Sequence, residues 1–259
     1  MTSDLSPADR AKRAAAIRAC DFVEDGMRVG LGTGSTAAWM VRRLGERVRD
    51  EGLRITGVPT SDRTAALARE LDIPVITLDD AGWLDVTIDG ADEFDPAFNL
   101  IKGGGGAHLR EKIVATASER MVVIADAGKD VTTLGAFPLP VEVIPFGHVA
   151  TRKLIGELLA GYDVGGRDVA LRMAGGGPFV TDEGNYIYDL HLKRIGDAPR
   201  LAAGLNRIAG VVENGLFIGV SDTVVIGFED GSAEVRTLTA AGGAWDVLDG
   251  ENIFADPGT

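Results

Sequence analysis

Lys102 and Glu111 stand on either side of the run Gly103-Gly104-Gly105-Gly106, in the segment Lys102-Gly103-Gly104-Gly105-Gly106-Ala107-His108-Leu109-Arg110-Glu111. Four successive glycines inside a helix or strand would carry a large entropic cost, so this run is a loop whose backbone can approach a ligand closely. A cation and a possible base therefore flank one local unit. A flexible linker is the plain alternative, but linkers rarely separate an apolar strand such as Leu100-Ile101 from an amphipathic helix. The lysine itself is informative. Of 26 cationic residues 20 are arginine and 6 are lysine, yet Lys102, Lys112 and Lys129 all fall in glycine-rich or strand-end segments. An ammonium is a compact point charge that the planar guanidinium does not reproduce.

Three further segments place reactive groups where a strand runs out. Asp89-Gly90-Ala91-Asp92-Glu93 ends an apolar run at Ile88 and concentrates carboxylates; an acidic turn capping the next segment competes evenly with a catalytic role. A metal site is least favoured there, because calcium-loop spacing is missing and no histidine lies near in sequence. Gly30-Leu31-Gly32-Thr33-Gly34-Ser35-Thr36 sets glycines, free N–H groups and hydroxyls at a predicted helix start, where the macrodipole favours an anion such as phosphate. The dinucleotide fingerprint fails at Ser35 when read from Gly30. Read from Gly32 it reaches a tolerated Ala37, but the next strand ends in Val58-Pro59-Thr60-Ser61 without the expected acid. The Gly-Lys-Ser/Thr of a P-loop is absent too. Asp126-Ala127-Gly128-Lys129 is the third segment, and read alone it is an ordinary turn. His108, His148 and His191 are scattered and read as structural or exposed, and no G-x-S-x-G elbow supports a serine hydrolase.

These segments need elements to hold them. Ser6-Pro7-Ala8-Asp9 begins a helix, Val29-Gly30-Leu31 is a strand, and Met40, Val41, Leu44 and Val48 mark the helix after the glycine loop. Leu53 to Val58, Pro74 to Leu78, Val86 to Ile88 and Met121 to Ala125 read as strands, with helices at Ala65 to Leu71 and Ile113 to Ala117. Such alternation predicts an α/β fold with a mainly parallel, Rossmann-like sheet, helices on both faces and ligands beyond the carboxyl ends of the strands. From about Pro138 the pattern changes. Val141 to Ile144, Ala150 to Leu159, two strands within Phe179 to Leu190 and a helix near Leu201 predict a smaller ferredoxin-like α+β domain. The expected division is 1–136 with 217–239 as the Rossmann-like catalytic domain, 137–216 as the small domain, and a weakly periodic extension over 240–259.

Composition bounds the function. With 45% hydrophobic and 25% charged residues the chain can build a core. Its formal net charge of −13 disfavours nucleic acid and anionic membranes as partners. No signal-like N-terminus or membrane-length apolar run is present, and the single cysteine, Cys20, cannot form an internal disulfide, so a cytoplasmic location is expected.

Gly32-Thr33-Gly34-Ser35-Thr36, Asp89-Gly90-Ala91-Asp92-Glu93, Lys102 to Gly106 with Arg110-Glu111-Lys112, and Lys129 together resemble type A ribose-5-phosphate isomerase. The likeness runs from about Lys12 to Leu238 and includes Phe137-Pro138-Leu139-Pro140-Val141-Glu142 and Gly210-Val211-Val212-Glu213-Asn214-Gly215-Leu216-Phe217. His108 stands where an aliphatic residue is usual, and Gly128 where serine is. The resemblance implies an aldose-ketose isomerase that interconverts ribose 5-phosphate and ribulose 5-phosphate, works without metal, nucleotide or other cofactor, and assembles as a homodimer or homotetramer. It implies substrate contacts from Thr33, Gly34, Ser35, Thr36, Asp89, Gly90, Ala91, Asp92, Lys102, Gly103, Gly104, Gly105 and Lys129, with Lys12 reaching the phosphate. Glu111 becomes the proton acceptor, Lys102 the cation for developing charge, and Asp89 the acid/base for the oxygens. Two other classes compete: a non-catalytic sugar-phosphate sensor, which needs no base, and acyl or coenzyme A transfer with Glu111 as nucleophile. The trio of Asp89, Lys102 and Glu111 argues against the sensor.

Overall fold

The structure, a computed structural model, describes residues 5–238 and 245–249. Ser6 caps α1 (Pro7–Ala19) by accepting the Asp9 N–H, with Pro7 in the first turn, where proline's missing N–H costs nothing. β1 (Arg28–Leu31), α2 (Ser35–Asp50), β2 (Thr56–Pro59), α3 (Asp62–Glu70), the single turn α4 (Leu78–Ala81) and β3 (Val86–Gly90) follow. Next come β4 (Glu93–Phe94), β5 (Leu100–Ile101), α5 (His108–Thr116) and β6 (Met121–Asp126). After them lie β7 (Leu139–Val143), α6 (His148–Leu159), β8 (Asp168–Leu171), β9 (Met173–Ala174), β10 (Gly177–Pro178), β11 (Tyr186–His191), α7 (Ala198–Leu205), β12 (Val211–Asn214) and β13 (Leu216–Phe217). The described chain closes with β14 (Thr223–Gly227), β15 (Ala233–Leu238) and β16 (Trp245–Asp249).

The described residues of Met1–Gly90, Ile113–Asp130 and Val220–Thr259 form one compact unit, and Ala91–Lys112 with Val131–Gly219 form a second. The first unit is built on a sheet of order β16-β15-β14-β6-β3-β1-β2. Its strands from β14 to β2 run parallel, and β15 and β16 are added antiparallel. Val29, Leu31, Ile88, Val122 and Ile124 face Ala14, Met40 and Leu44 of α1 and α2 on one side. On the other side Val58 joins Val114 of α5, with Ala81 and Leu84. Both faces are thus covered, as the near-continuous apolar strands require. The chain steps from β1 to β2 on one flank and returns with β3 on the opposite flank of β1. That reversal is a topological switch point, where the loops after β1 and β3 diverge and leave room for a ligand.

The second unit contains the order β-α-β-β-α-β in β7, α6, β8, β11, α7 and β12. Its four strands form an antiparallel sheet of order β12-β7-β11-β8, the split arrangement expected of a ferredoxin-like unit. Val141, Tyr188 and Leu190 pack there against Ile155, Leu159, Leu201 and Leu205.

Two readings shift. Residues 91–112 and 131–136 group with the second unit, because β4 and β5 pair with each other and with β13 instead of extending the parallel sheet. Pro74 to Leu78 is not a strand. Only Val75 bridges to Gly57, since the Thr77 side chain accepts the Asp80 N–H and starts α4 instead. β14 and β15 rejoin the first sheet within the expected 217–239, but residues 217–219 group with the second unit, where Phe217 pairs with Leu100. The expected 240–259 extension lies outside the described residues except for β16, which pairs with β15. Among the described residues no helix is long and apolar enough to cross a membrane.

Gly227 ends β14 where α1 passes close by: a Cβ there would lie 1.9 Å from the Ala11 carbonyl oxygen and 2.8 Å from the Ala15 nitrogen. Both are helix backbone, so neither can rotate away. Gly227→Ala is expected to cost about 1–3 kcal/mol of stability, read as a lower urea midpoint. An unchanged midpoint would refute so close an approach of α1.

Candidate active site

The carboxyl ends of β1, β2 and β3 bring hydroxyls, N–H groups and a carboxylate together in the first unit. Gly34 caps α2 with a φ of 119° and supplies no side chain to the helix start. Ser6 and Ser61, in contrast, satisfy N–H groups of α1 and α3. The first N–H groups of the 16-residue α2 are therefore left to an external acceptor, in the field of the helix dipole. Ser35 is exposed there and Thr36 half-buried.

Thr33 Oγ1 donates to Ser61 Oγ at 2.8 Å and lies 2.7 Å from Thr60 Oγ1 and 3.1 Å from Thr64 Oγ1. Thr64 in turn donates to the Gly32 carbonyl at 3.1 Å. Parallel pairing of Leu31 with Pro59 sets these two strand ends side by side. Sequence reasoning misses Thr60, Ser61 and Thr64. Their signal was the Thr60-Ser61 pair directly after a predicted strand.

Asp89, fully buried, accepts the Thr33 N–H at 3.0 Å and the Gly90 N–H at 2.7 Å, both on Oδ1. Two such donors fix the orientation of the carboxylate. The approach demands Gly32, because a Cβ there would lie 2.2 Å from Asp89 Oδ1. Lys129 ends a 3₁₀ turn (Ala127–Lys129) after β6, and the Asp126 carboxylate accepts the Gly128 N–H within that turn. Lys12 sits half-buried on α1.

The second unit holds the other groups. Lys102 Nζ lies 3.5 Å from Glu111 Oε1, and their side chains are only 2% and 6% exposed. Lys102 follows β5 and donates its backbone N–H to the Gly215 carbonyl at 2.9 Å. Its ammonium lies 5.5 Å from the Phe217 ring centre, and Lys112 Nζ lies 4.9 Å from it, both within reach of a cation–π attraction. Glu111 falls in the first turn of α5. Gly103 to Gly106 make a closed turn, with the Gly106 N–H donating to the Gly103 carbonyl at 3.0 Å. The Gly104 N–H donates to Asp92 Oδ2 at 2.8 Å. Asp92 thus supports the glycine loop, and half-buried Ala91 precedes it. Glu93 is structural: its carboxylate accepts the N–H groups of Gly135 and Phe137. Among the described residues no group of three or more His, Cys, Asp or Glu side chains could hold a metal ion.

The first residue of α5 belongs to a second buried pair. His108 Nε2 is 3.8 Å from Glu142 Oε2, and both side chains are sealed from solvent. Burial lowers His108 to about 3 and pushes the Glu142 carboxyl up, so near neutral pH His108 is uncharged. Glu142 is held by Thr181 and Asn185, each at 2.9 Å. Lys112 anchors the helix to Glu213 at 2.9 Å and to the Asn214 carbonyl at 2.6 Å.

A model of the family "Ribose 5-phosphate isomerase A (phosphoriboisomerase A)" matches residues 56–231. The chain is 67% identical over 258 residues to the ribose-5-phosphate isomerase A of Cereibacter sphaeroides, covering 100% of each. It resembles the solved structure of ribose 5-phosphate isomerase A from Methanocaldococcus jannaschii with a TM-score of 0.79 and 40% identity, over 94% of this chain and 100% of that one. A D-ribose-5-phosphate isomerase solved in complex with phospho-erythronic acid matches with a TM-score of 0.78 and 40% identity, over 92% and 97%.

The His108 environment makes a pH prediction. Its depressed value of about 3 in the folded chain, against the ordinary 6.5, means the unfolded chain takes up the proton first as pH falls. His108 therefore contributes a loss of stability between pH ~6.5 and ~3, of up to about 1.4 kcal/mol per pH unit. His108→Leu is expected to lose less stability than wild type on going from pH 7 to pH 4 in denaturant titrations. Parallel pH dependences for the two proteins would refute this account.

Proposed function

The chain belongs to the ribose 5-phosphate isomerase A family and is a ribose-5-phosphate isomerase of the pentose phosphate pathway, and we propose that Glu111 carries the proton between the two carbons it exchanges. The observation that bears this reading is the Glu111 carboxylate held 3.5 Å from the Lys102 ammonium, both almost wholly buried. Aldose and ketose differ by two protons' positions. One moves from C2 to C1, and the other from the C2 hydroxyl to the C1 oxygen, so no external oxidant or reductant is needed. Glu111 takes the C2 proton and returns it to C1. The enediolate between these steps carries negative charge on oxygen, which Lys102 stabilises; a well-aimed donor of this kind contributes roughly 3–4 kcal/mol.

Asp89 serves the oxygens, first in opening the furanose ring and then in moving the hydroxyl proton. Its fixed Oδ1 supports that role. The phosphate is bound by the α2 N-terminus with Thr33, Gly34, Ser35 and Thr36, by Lys129, and by Lys12. Gly90, Ala91, Asp92 and Gly103 to Gly105 contact the sugar. Phospho-erythronic acid, bound by a relative, combines a phosphate with a second anionic group, which suits a site made for both phosphate and oxyanion. Phe146, 92% exposed, with exposed Ile144 and Val149 nearby in sequence, supports assembly as a homodimer or homotetramer. A cytoplasmic site of action suits the buried, unpaired thiol of Cys20.

Glu111→Gln keeps the shape and removes the base. With ribose 5-phosphate as substrate and ribulose 5-phosphate formation as readout, kcat is expected to fall ~10²- to ~10⁴-fold, while KM moves little. A kcat within a few-fold of wild type would remove Glu111 from the role.

A further inference from the structure

Arg172, in the turn after β8, makes more directed contacts than any feature of its sequence suggests. Its Nη1 donates to the Gly103 carbonyl at 3.0 Å and reaches the Gly104 carbonyl at 3.3 Å. Nε and Nη2 form a two-pronged pair with the Asp189 carboxylate at 2.9 and 2.5 Å. The guanidinium carbon lies 5.8 Å from the centre of the Phe179 ring, and that ring lies against Gly106, where a Cβ would sit 2.5 Å from it. Arg172 and Asp189 are only 15% and 20% exposed. A guanidinium can pair with a carboxylate along one edge and still hold two carbonyls with a remaining nitrogen; an ammonium has no such rigid fork.

We infer that Arg172, charge-balanced by Asp189, is a positioning residue for the isomerisation: it sets the peptide planes of the glycine loop that follows Lys102. The inference rests on the assignment of that loop to the sugar. In a trans peptide the carbonyl and the following N–H point opposite ways. Capture of the Gly103 carbonyl turns the Gly104 N–H toward Asp92, which accepts it at 2.8 Å. Capture of the Gly104 carbonyl turns the Gly105 N–H away from Arg172 in the same manner. Among the described residues no acceptor takes that N–H, and Gly105 is exposed, so it is presented to a substrate oxygen. Glycines cannot hold such an orientation by themselves. The guanidinium on one side and Asp92 on the other supply the rigidity that the residue type lacks. Because Asp189 neutralises Arg172, the clamp adds no net charge to compete with Lys102 for an oxyanion.

The test is steady-state kinetics of Arg172→Ala on ribose 5-phosphate, with thermal melts alongside. A loosened loop should misplace the sugar and leave phosphate binding intact, so kcat is expected to fall roughly 10- to 100-fold with KM within about 3-fold. Added guanidinium ion, which fits the vacated fork, should recover part of kcat, and methylammonium should not. A folded variant with kcat within about 2-fold of wild type overturns the inference, as does a loss that guanidinium leaves unchanged. Should Arg172→Ala fail to fold, Arg172→Lys is judged by the same split: wild-type kcat overturns the inference, and a selective loss of kcat supports it. Glu111→Gln measured in parallel separates the two readings. Activity retained there would sink the base assignment while leaving the Arg172 comparison intact.

Discussion

A carboxylate and an ammonium shut away from water can coexist only if each is held against the other. Removing either from solvent alone would cost several kcal/mol. Lys102 and Glu111 meet this condition at 3.5 Å, and much of the second unit is arranged around it. The Gly215 carbonyl fixes the Lys102 backbone, Phe217 presents its face to the ammonium, and the first turn of α5 carries Glu111. Lys112 ties the same helix to Glu213 and Asn214, next to Gly215 in the chain. Under the proposed mechanism the pair has a kinetic meaning as well. An ion pair waiting in a dry site needs little rearrangement when charge passes from the base to a substrate oxygen.

Under the proposed function the first unit has a different task, that of attracting an anion to a protein of net charge −13. It does so mainly with dipoles. The uncapped start of α2 offers N–H groups at the positive end of the helix dipole without long flexible side chains, and the hydrogen-bonded hydroxyls of Thr33, Thr60, Ser61 and Thr64 brace the turn before it. Parallel strand pairing is what assembles them, since β1 and β2 end in register. Asp89 sits at the neighbouring strand end, and the backbone N–H groups of Thr33 and Gly90 hold its carboxylate.

Local chemistry was legible in the sequence, and long-range partnership was not. The glycine run beside Lys102 could only be a loop, and the strand-to-helix grammar around Gly32 to Thr36 could only be a βα turn, so both were readable from residue type. Pro74 to Leu78 misled because an apolar, β-branched run looks the same whether or not a neighbouring strand is there to pair it; Thr77 as a helix cap decided the matter. The second unit's claim on β4 and β5 turned on pairing with Leu216-Phe217, more than a hundred residues away. Arg172 and Asp189 lie 17 positions apart and reach back to Gly103 across 69. Nothing in their own neighbourhood distinguishes them from ordinary surface charges.

Gly32 and Asp89 occupy what is almost a single volume, since a methyl group on the first would fall 2.2 Å from an oxygen of the second and 2.6 Å from its Cα. The two positions are therefore not independent letters in the sequence. A lineage that placed any side chain at 32 would have to surrender the carboxylate at 89 or pry β1 from β3, so single substitutions lead away from this arrangement and none leads around it.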